Sequence, residues 1–242
     1  MKQKNIFFAT VILLLLFSSC GVTSKLTQAE RAPAFYTENP PVSILVMPPI
    51  NQTTNVEAKD FFYYTMNQCL GDSGYYVFPP LLSMQTLQNE SAYDSELFIN
   101  GDIAPFGGLF GADMLLFTTI TKWYKHPILS RIDIEIKYEL RTTKDNATVW
   151  HQNTQYSYKL TANMAGGGLI GLASFLIQKI ANSVTTAITD YALVAWNCNK
   201  TSFINVPYGK YSKWFQADGD WKGLKDDLKF STSALNHPYT SY

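Results

Sequence analysis

The chain has 242 residues, 46% hydrophobic and 16% charged, with 19 basic against 19 acidic side chains. That length and apolar content fit one large domain with a sizeable core, or a domain with a tail. So even a charge balance leaves no basic footprint for nucleic acid and no overall excess that would draw the chain to an anionic surface.

The first residues, Met1-Lys2-Gln3-Lys4, precede an apolar run over 6–17 that ends in Ser18-Ser19-Cys20. This is a basic n-region, a short h-region and a small-residue cleavage site. The apolar run is well short of the ~20 residues that span a bilayer core. Phe17-Ser18-Ser19-Cys20 resembles the lipoprotein signal Leu-(Ala/Ser)-(Gly/Ala)-Cys, departing from it at the first position. The resemblance implies that residues 1–19 are a signal peptide and that Cys20 takes a diacylglycerol and becomes the N-terminus. Several acyl chains anchor stably, since each buried CH2 contributes about 0.8 kcal/mol. Losing Lys2 and Lys4 leaves 17 basic against 19 acidic residues, a formal charge of −2. Gly21 stands where Asp marks inner-membrane retention, which implies an outer-membrane, lipid-anchored protein on the periplasmic face. Residues 20–40 are polar and proline-punctuated and read as a lipidated tether.

An α/β domain is expected over 41–200. Its first strand is Ser43-Ile44-Leu45-Val46-Met47, closed by Pro48-Pro49. Val42, Ile44 and Val46 fall on one face and Leu45 and Met47 on the other, so both faces are apolar, as in a central strand covered on both sides. Thr54 and Glu57 suit a capping box opening a helix over 56–70, with Phe62, Met66, Cys69 and Leu70 as its packed stripe. Tyr75-Tyr76-Val77-Phe78 repeats the strand-then-Pro-Pro plan, and the intervening helix makes the two strands parallel. A second helix is expected over 81–88, a short one over 96–99, and a glycine-rich turn over 105–113.

Residues 114–124 read as the next strand. In 131–141, Ile132, Ile134, Ile136, Tyr138 and Leu140 alternate with charged residues, one face core and the other water. With a further strand over 147–160, these form an antiparallel meander. The longest helical pattern runs over 166–196, and residues 201–242 should wrap the domain as loops and short helices. The expected fold is therefore a two- or three-layer sandwich with a mixed sheet of about five strands, parallel at the centre.

The chemistry-bearing motifs are sparse. His126, His151 and His237 have no metal-type spacing, so no metal or cofactor is expected. No G-x-S-x-G elbow is present, and Ser157 and Ser174 lack a nominated base. Asp133, Glu135 and Glu139 share a strand face, but interleaved Arg and Lys make it a charge-compensated, solvated face. Gly166, Gly168 and Gly171 match G-x-G-x-x-G without the strand a dinucleotide site needs afterwards, and read as a hinge. Catalytic residues are not expected. Cys69 and Cys198 stand as a candidate disulfide or as two buried thiols. Phe61-Phe62-Tyr63-Tyr64 are consecutive, so Tyr63 and Tyr64 are expected at a rim or partner surface, or covering neighbouring strands or the C-terminal tail. Pro48, Pro49, Asn51, Pro79 and Pro80 read as rigid loops for docking a partner. Tyr208, Tyr211, Trp214, Phe215 and Trp221 add a second aromatic group suited to assembly.

Ile44-Leu45-Val46-Met47-Pro48-Pro49-Ile50-Asn51, Gly74-Tyr75-Tyr76-Val77-Phe78-Pro79 and Phe110-Gly111-Ala112-Asp113, behind a lipoprotein signal, resemble the GNA-type bacterial lipoproteins over residues 40–210. The resemblance implies an outer-membrane lipoprotein component of a transport system. It also implies a fold similar to the amino-terminal domain of the TolB protein and to the soluble part of the curli secretion-channel lipoprotein. On that basis the expected role is a non-enzymatic accessory of an envelope transport or secretion system. The expected partners are the membrane, other envelope lipoproteins, secretion-channel proteins or further copies of the chain. The alternatives are a lipid- or small-molecule-binding lipoprotein with a pocket under residues 107–111, and a hydrolase with an unrecognised site.

Overall fold

The computed structural model describes residues 23–126, 131–159 and 185–231. Its centre is a mixed sheet in the order β4 (Tyr76–Val77), β2 (Ser43–Val46), β5 (Met114–His126), β6 (Arg131–Thr142), β7 (Thr148–Lys159) and β9 (Asp227–Ser231), with β3 (Ile50–Asn51) pairing β5 further along. Strands β2, β4 and β5 run parallel, with Ile44 opposite both Val77 and Met114. β3 is parallel to β5 as well. β5, β6 and β7 form the expected antiparallel meander, with Ile136 opposite Ile120 and Thr154.

Alternation along β2 places Ile44 and Val46 in the main core and Leu45 and Met47 in a smaller second core. The main core lies between the sheet and two helices, α2 (Ala58–Asp72) and the C-terminal helix α5 (Thr185–Ser202). Ile132, Ile134, Ile136, Tyr138 and Leu140 all point into it, as their period-two spacing predicts. The second core, with Leu87, Ile103, Phe106 and Leu115, is roofed by α3 (Pro80–Asn89) and α4 (Ala104–Phe110).

Five expectations are corrected. The tether over 20–40 is folded from Thr23 onward as β1 (Thr23–Thr27), α1 (Gln28–Arg31) and a 3-10 turn (Pro33–Tyr36). β1 pairs antiparallel with β8 (Lys222–Leu224) in a separate ribbon. The capping box occurs at Thr27 and Glu30 of α1; at α2 the Asn55 carboxamide, not Thr54, accepts from Ala58 N–H. The stretch read as a glycine-rich turn is mostly α4, ended by Gly111 in the left-handed region (φ 68°). Gly107 lies in it because an added Cβ would sit 2.8 Å from Thr143 Oγ1. β9 (Asp227–Ser231) extends the sheet parallel to β7 and the short β3 pairs β5, so the sheet has seven strands where about five were expected. The long helix continues to Ser202, past the expected end at 196; its expected beginning and the Gly166, Gly168, Gly171 motif lie outside the described residues, as do Cys20, Ser174 and His237.

Candidate functional site

The two helical layers are unequal, and this asymmetry creates the site. α2 and α5 cover one sheet face, whereas α3 and α4 cover only the β2 and β5 half of the other. A groove of about 520 Å³ follows the boundary. Ile99 and Phe117 form its apolar wall, and Gln52, Thr119, Thr121, Lys137, His151 and Asn153 line the rest.

Among the described residues no helix roofs the outward face of β6 and β7 beyond Arg141, so most positions there are polar, and several of the charges are matched across strands. Lys122 Nζ lies 3.1 Å from Glu135 Oε1, and Thr148 Oγ1 donates to Glu139 Oε1 at 2.7 Å. His151 stands 3.5 Å from Asp226. At the wall, Arg141 is almost buried, stacks over Phe117 and donates to the carbonyls of Ile99 and Gly101. It fixes the rim of the groove.

At the hairpin end, Asp133 gathers three donors. His126 Nε2 lies 2.6 Å from Oδ2, Ser157 Oγ donates to Oδ1 at 2.7 Å, and Arg131 Nη2 donates to Oδ2 at 3.0 Å. Burial pushes this carboxyl up, but the bonds from His126, Ser157 and Arg131 together outweigh it and hold the pKa below the usual carboxylate range. Ser157 and His126 both bond the same carboxylate and not each other, which is unlike a nucleophile with its base. Among the described residues no group of three His, Cys, Asp or Glu side chains could hold a metal ion.

The residues expected at a partner surface are placed differently. Tyr63 and Tyr64 are buried, at 1% and 6% exposure. α2 is covered on more sides than one packed stripe allows: Phe61 and Phe62 meet Trp123, while Tyr63 OH donates to Pro80 O and Tyr64 OH faces Met84 Sδ. Pro48 and Pro49 are buried, with Ser95 Oγ donating to Pro48 O at 2.6 Å. Asn51 is half-buried and ties its own turn, donating to Asn55 O and accepting from Thr53. Pro79 alone of this set is exposed, and Pro80 opens α3. Cys69 and Cys198 are free, buried thiols, the second of the two states the sequence left open. The pocket expected under residues 107–111 is occupied by packed rings, Phe98 and Phe106 at 5.1 Å and Phe78 and Phe110 at 6.0 Å.

Sequence reasoning missed the groove because it depends on where the second helical layer stops. The one signal was the charged alternate face of β6, which marked that half of the sheet as uncovered. No helix among the described residues is long and apolar enough to cross a membrane.

A family model described as "Putative lipoprotein GNA1162-like" matches residues 33–203. A lipoprotein of Neisseria meningitidis serogroup B, NMB1124/NMB1162, is 27% identical over 165 residues, covering 65% of this chain and 76% of that protein. The crystal structure of lipoprotein GNA1162 from Neisseria meningitidis is 26% identical, with a TM-score of 0.46 over 59% of this chain and all of that one. A PelC dodecamer from Paraburkholderia phytofirmans is 14% identical, with a TM-score of 0.38 over 69% of this chain and 93% of that one.

Proposed function

Because this chain belongs to the GNA1162-like lipoprotein family, we propose that it is anchored through acylated Cys20 to the periplasmic face of the outer membrane and serves there as a non-enzymatic accessory of an envelope transport or secretion system. The observation that carries the contact role is the sheet half that the described helices leave open, a β-surface with an apolar wall and several paired charges. Such a surface offers a partner the half-buried Ile99 as an apolar anchor, backed by the buried Phe117, without stranding a buried charge. The donors around Asp133 support the same reading, since they lock a hairpin in place and leave no free base.

Palmitate labelling of wild type and Cys20→Ala, followed by envelope fractionation, tests the anchor. Label and outer-membrane association should both be lost in the variant. Membrane association that persists without label would remove the anchor from the account. Detergent extracts of the wild type should contain the chain in complexes with other envelope proteins. A strictly monomeric, partner-free chain would contradict the accessory role, and a co-extracted lipid or small molecule in its place would favour a carrier.

A further inference from the structure

Only Gly21 and Val22 separate Cys20 from β1. Three residue steps span at most about 11 Å, even fully extended. The headgroup layer of one leaflet is roughly 5–8 Å deep, half the difference between the full bilayer and its hydrocarbon core. A domain that starts at Thr23 therefore cannot stand clear of a bilayer holding Cys20, and β1 with its partner β8 must meet the surface.

The position of this ribbon in the fold fixes which end of the molecule faces down. Asn205 links it to the start of β7: its Oδ1 accepts from Leu224 N–H, and its carbonyl accepts from Trp150 Nε1 and Gln28 Nε2. The ribbon thus lies at the sheet end where β7 begins and β6 finishes. β5 runs from that end at Met114, near Thr142, to His126 opposite Arg131, about 40 Å away at the usual strand rise.

The chemistry of this end suits lipid headgroups. Lys25, Lys222 and Lys225 are exposed, and no carboxylate among the described residues lies within ion-pair distance of them. Three of the four nearby acids have other hydrogen-bond or ion-pair partners, Glu30 with Thr27, Asp226 with Arg31 and Asp227 with Asn153, while Asp220 is exposed; Glu30 also feels the charge of Lys222, whose Nζ donates to Lys25 O at 2.9 Å. Leu26 and Trp221 are partly exposed beside the lysines, an apolar residue and an indole of the kind that settles at a membrane interface.

We propose that the β1–β8 end is a membrane-facing surface, with Lys25, Lys222 and Lys225 on the phosphates of phospholipid headgroups and the His126 end held about 40 Å away in the periplasm. The half-open sheet then faces sideways along the membrane, toward neighbours anchored to the same leaflet. This inference rests on acylation of Cys20.

The test uses the acylated full chain in vesicles of phosphatidylethanolamine and phosphatidylglycerol. A fluorophore is placed at Leu26→Cys or, at the far end, at Lys125→Cys, and a headgroup-quencher lipid is added. Quenching at position 26 should exceed that at position 125 by at least about fivefold. Equal quenching at the two positions, or stronger quenching at 125, in protein shown by mass to carry acyl chains overturns the orientation and leaves the anchor standing. A chain that carries no acyl group when isolated from its native envelope overturns the anchor, and with it this inference.

Discussion

Cys69 on α2 and Cys198 on α5 are enclosed where the two helices pack, and burial pushes each thiol up to about 12. Both stay protonated at neutral pH, and the thiolate is the reactive form. In the folded protein neither should react with iodoacetamide at pH 8 over an hour, and both should react after denaturation without reductant. Mass analysis reads the count: rapid native labelling would contradict their burial, and resistance after unfolding would reveal a disulfide. Asp133 behaves in the opposite sense, its pKa held low by His126, Ser157 and Arg131 against the burial that raises it. A carboxyl depressed by folding contributes stability above its unfolded pKa of about 3.9 and loses it as pH falls toward the folded value. Asp133→Asn should therefore cost about 1.5–3 kcal/mol at pH 7, the range for hydrogen bonds to a charged group. That difference should begin to shrink below about pH 4, as the unfolded chain takes up the proton, and disappear only below the depressed folded value, where the native wild type is protonated too. Urea titrations at pH 7 and pH 3 measure it, and a cost independent of pH would contradict the assignment.

The meander of β5, β6 and β7 shows how far a pattern can be read. Each core residue of β6 was legible because water on one face imposes a two-residue period, and all five inward positions are buried. Ile134→Ala should cost about 2–5 kcal/mol in thermal or urea unfolding, whereas Lys137→Ala, on the open face, should stay within about 0.5 kcal/mol. Equal costs would mean that the open face is not open. β2 was legible for the complementary reason, since Leu45 and Met47 needed a second core as Ile44 and Val46 needed the first. β9 was not legible, because only Leu228 of Asp227–Ser231 is buried and a charged edge strand carries no period. α4 was hidden by its glycines, one of which is required by contact with Thr143, a partner about 36 residues away that no local pattern reveals. Tyr63 and Tyr64 misled because the expectation gave α2 a single packed stripe, whereas the sheet, α5 and α3 enclose it.

At the scale of the molecule, the chain ends define its geometry. Polar composition over residues 20–40 reads as a tether, yet the Thr27–Glu30 capping box and the β1–β8 pairing fold all but its first residues onto the domain. On the proposed anchoring at Cys20, a short leash and a fixed face follow, and both would place the open half-sheet within reach of neighbours on the same membrane. The family and the α/β sheet were readable from short motifs near the Pro-Pro turns. The groove was not, because the extent of the second helical layer is a tertiary property. The central claim is that this groove is where the anchored protein meets a partner, and site-specific photocrosslinking in living envelopes tests it most directly. A photoreactive residue at Thr121 or Asn153, in the groove, should give a discrete adduct with another envelope protein, and the same residue at Gln88, on exposed α3, should give none. Adducts at Gln88 with none at Thr121 or Asn153 would contradict it.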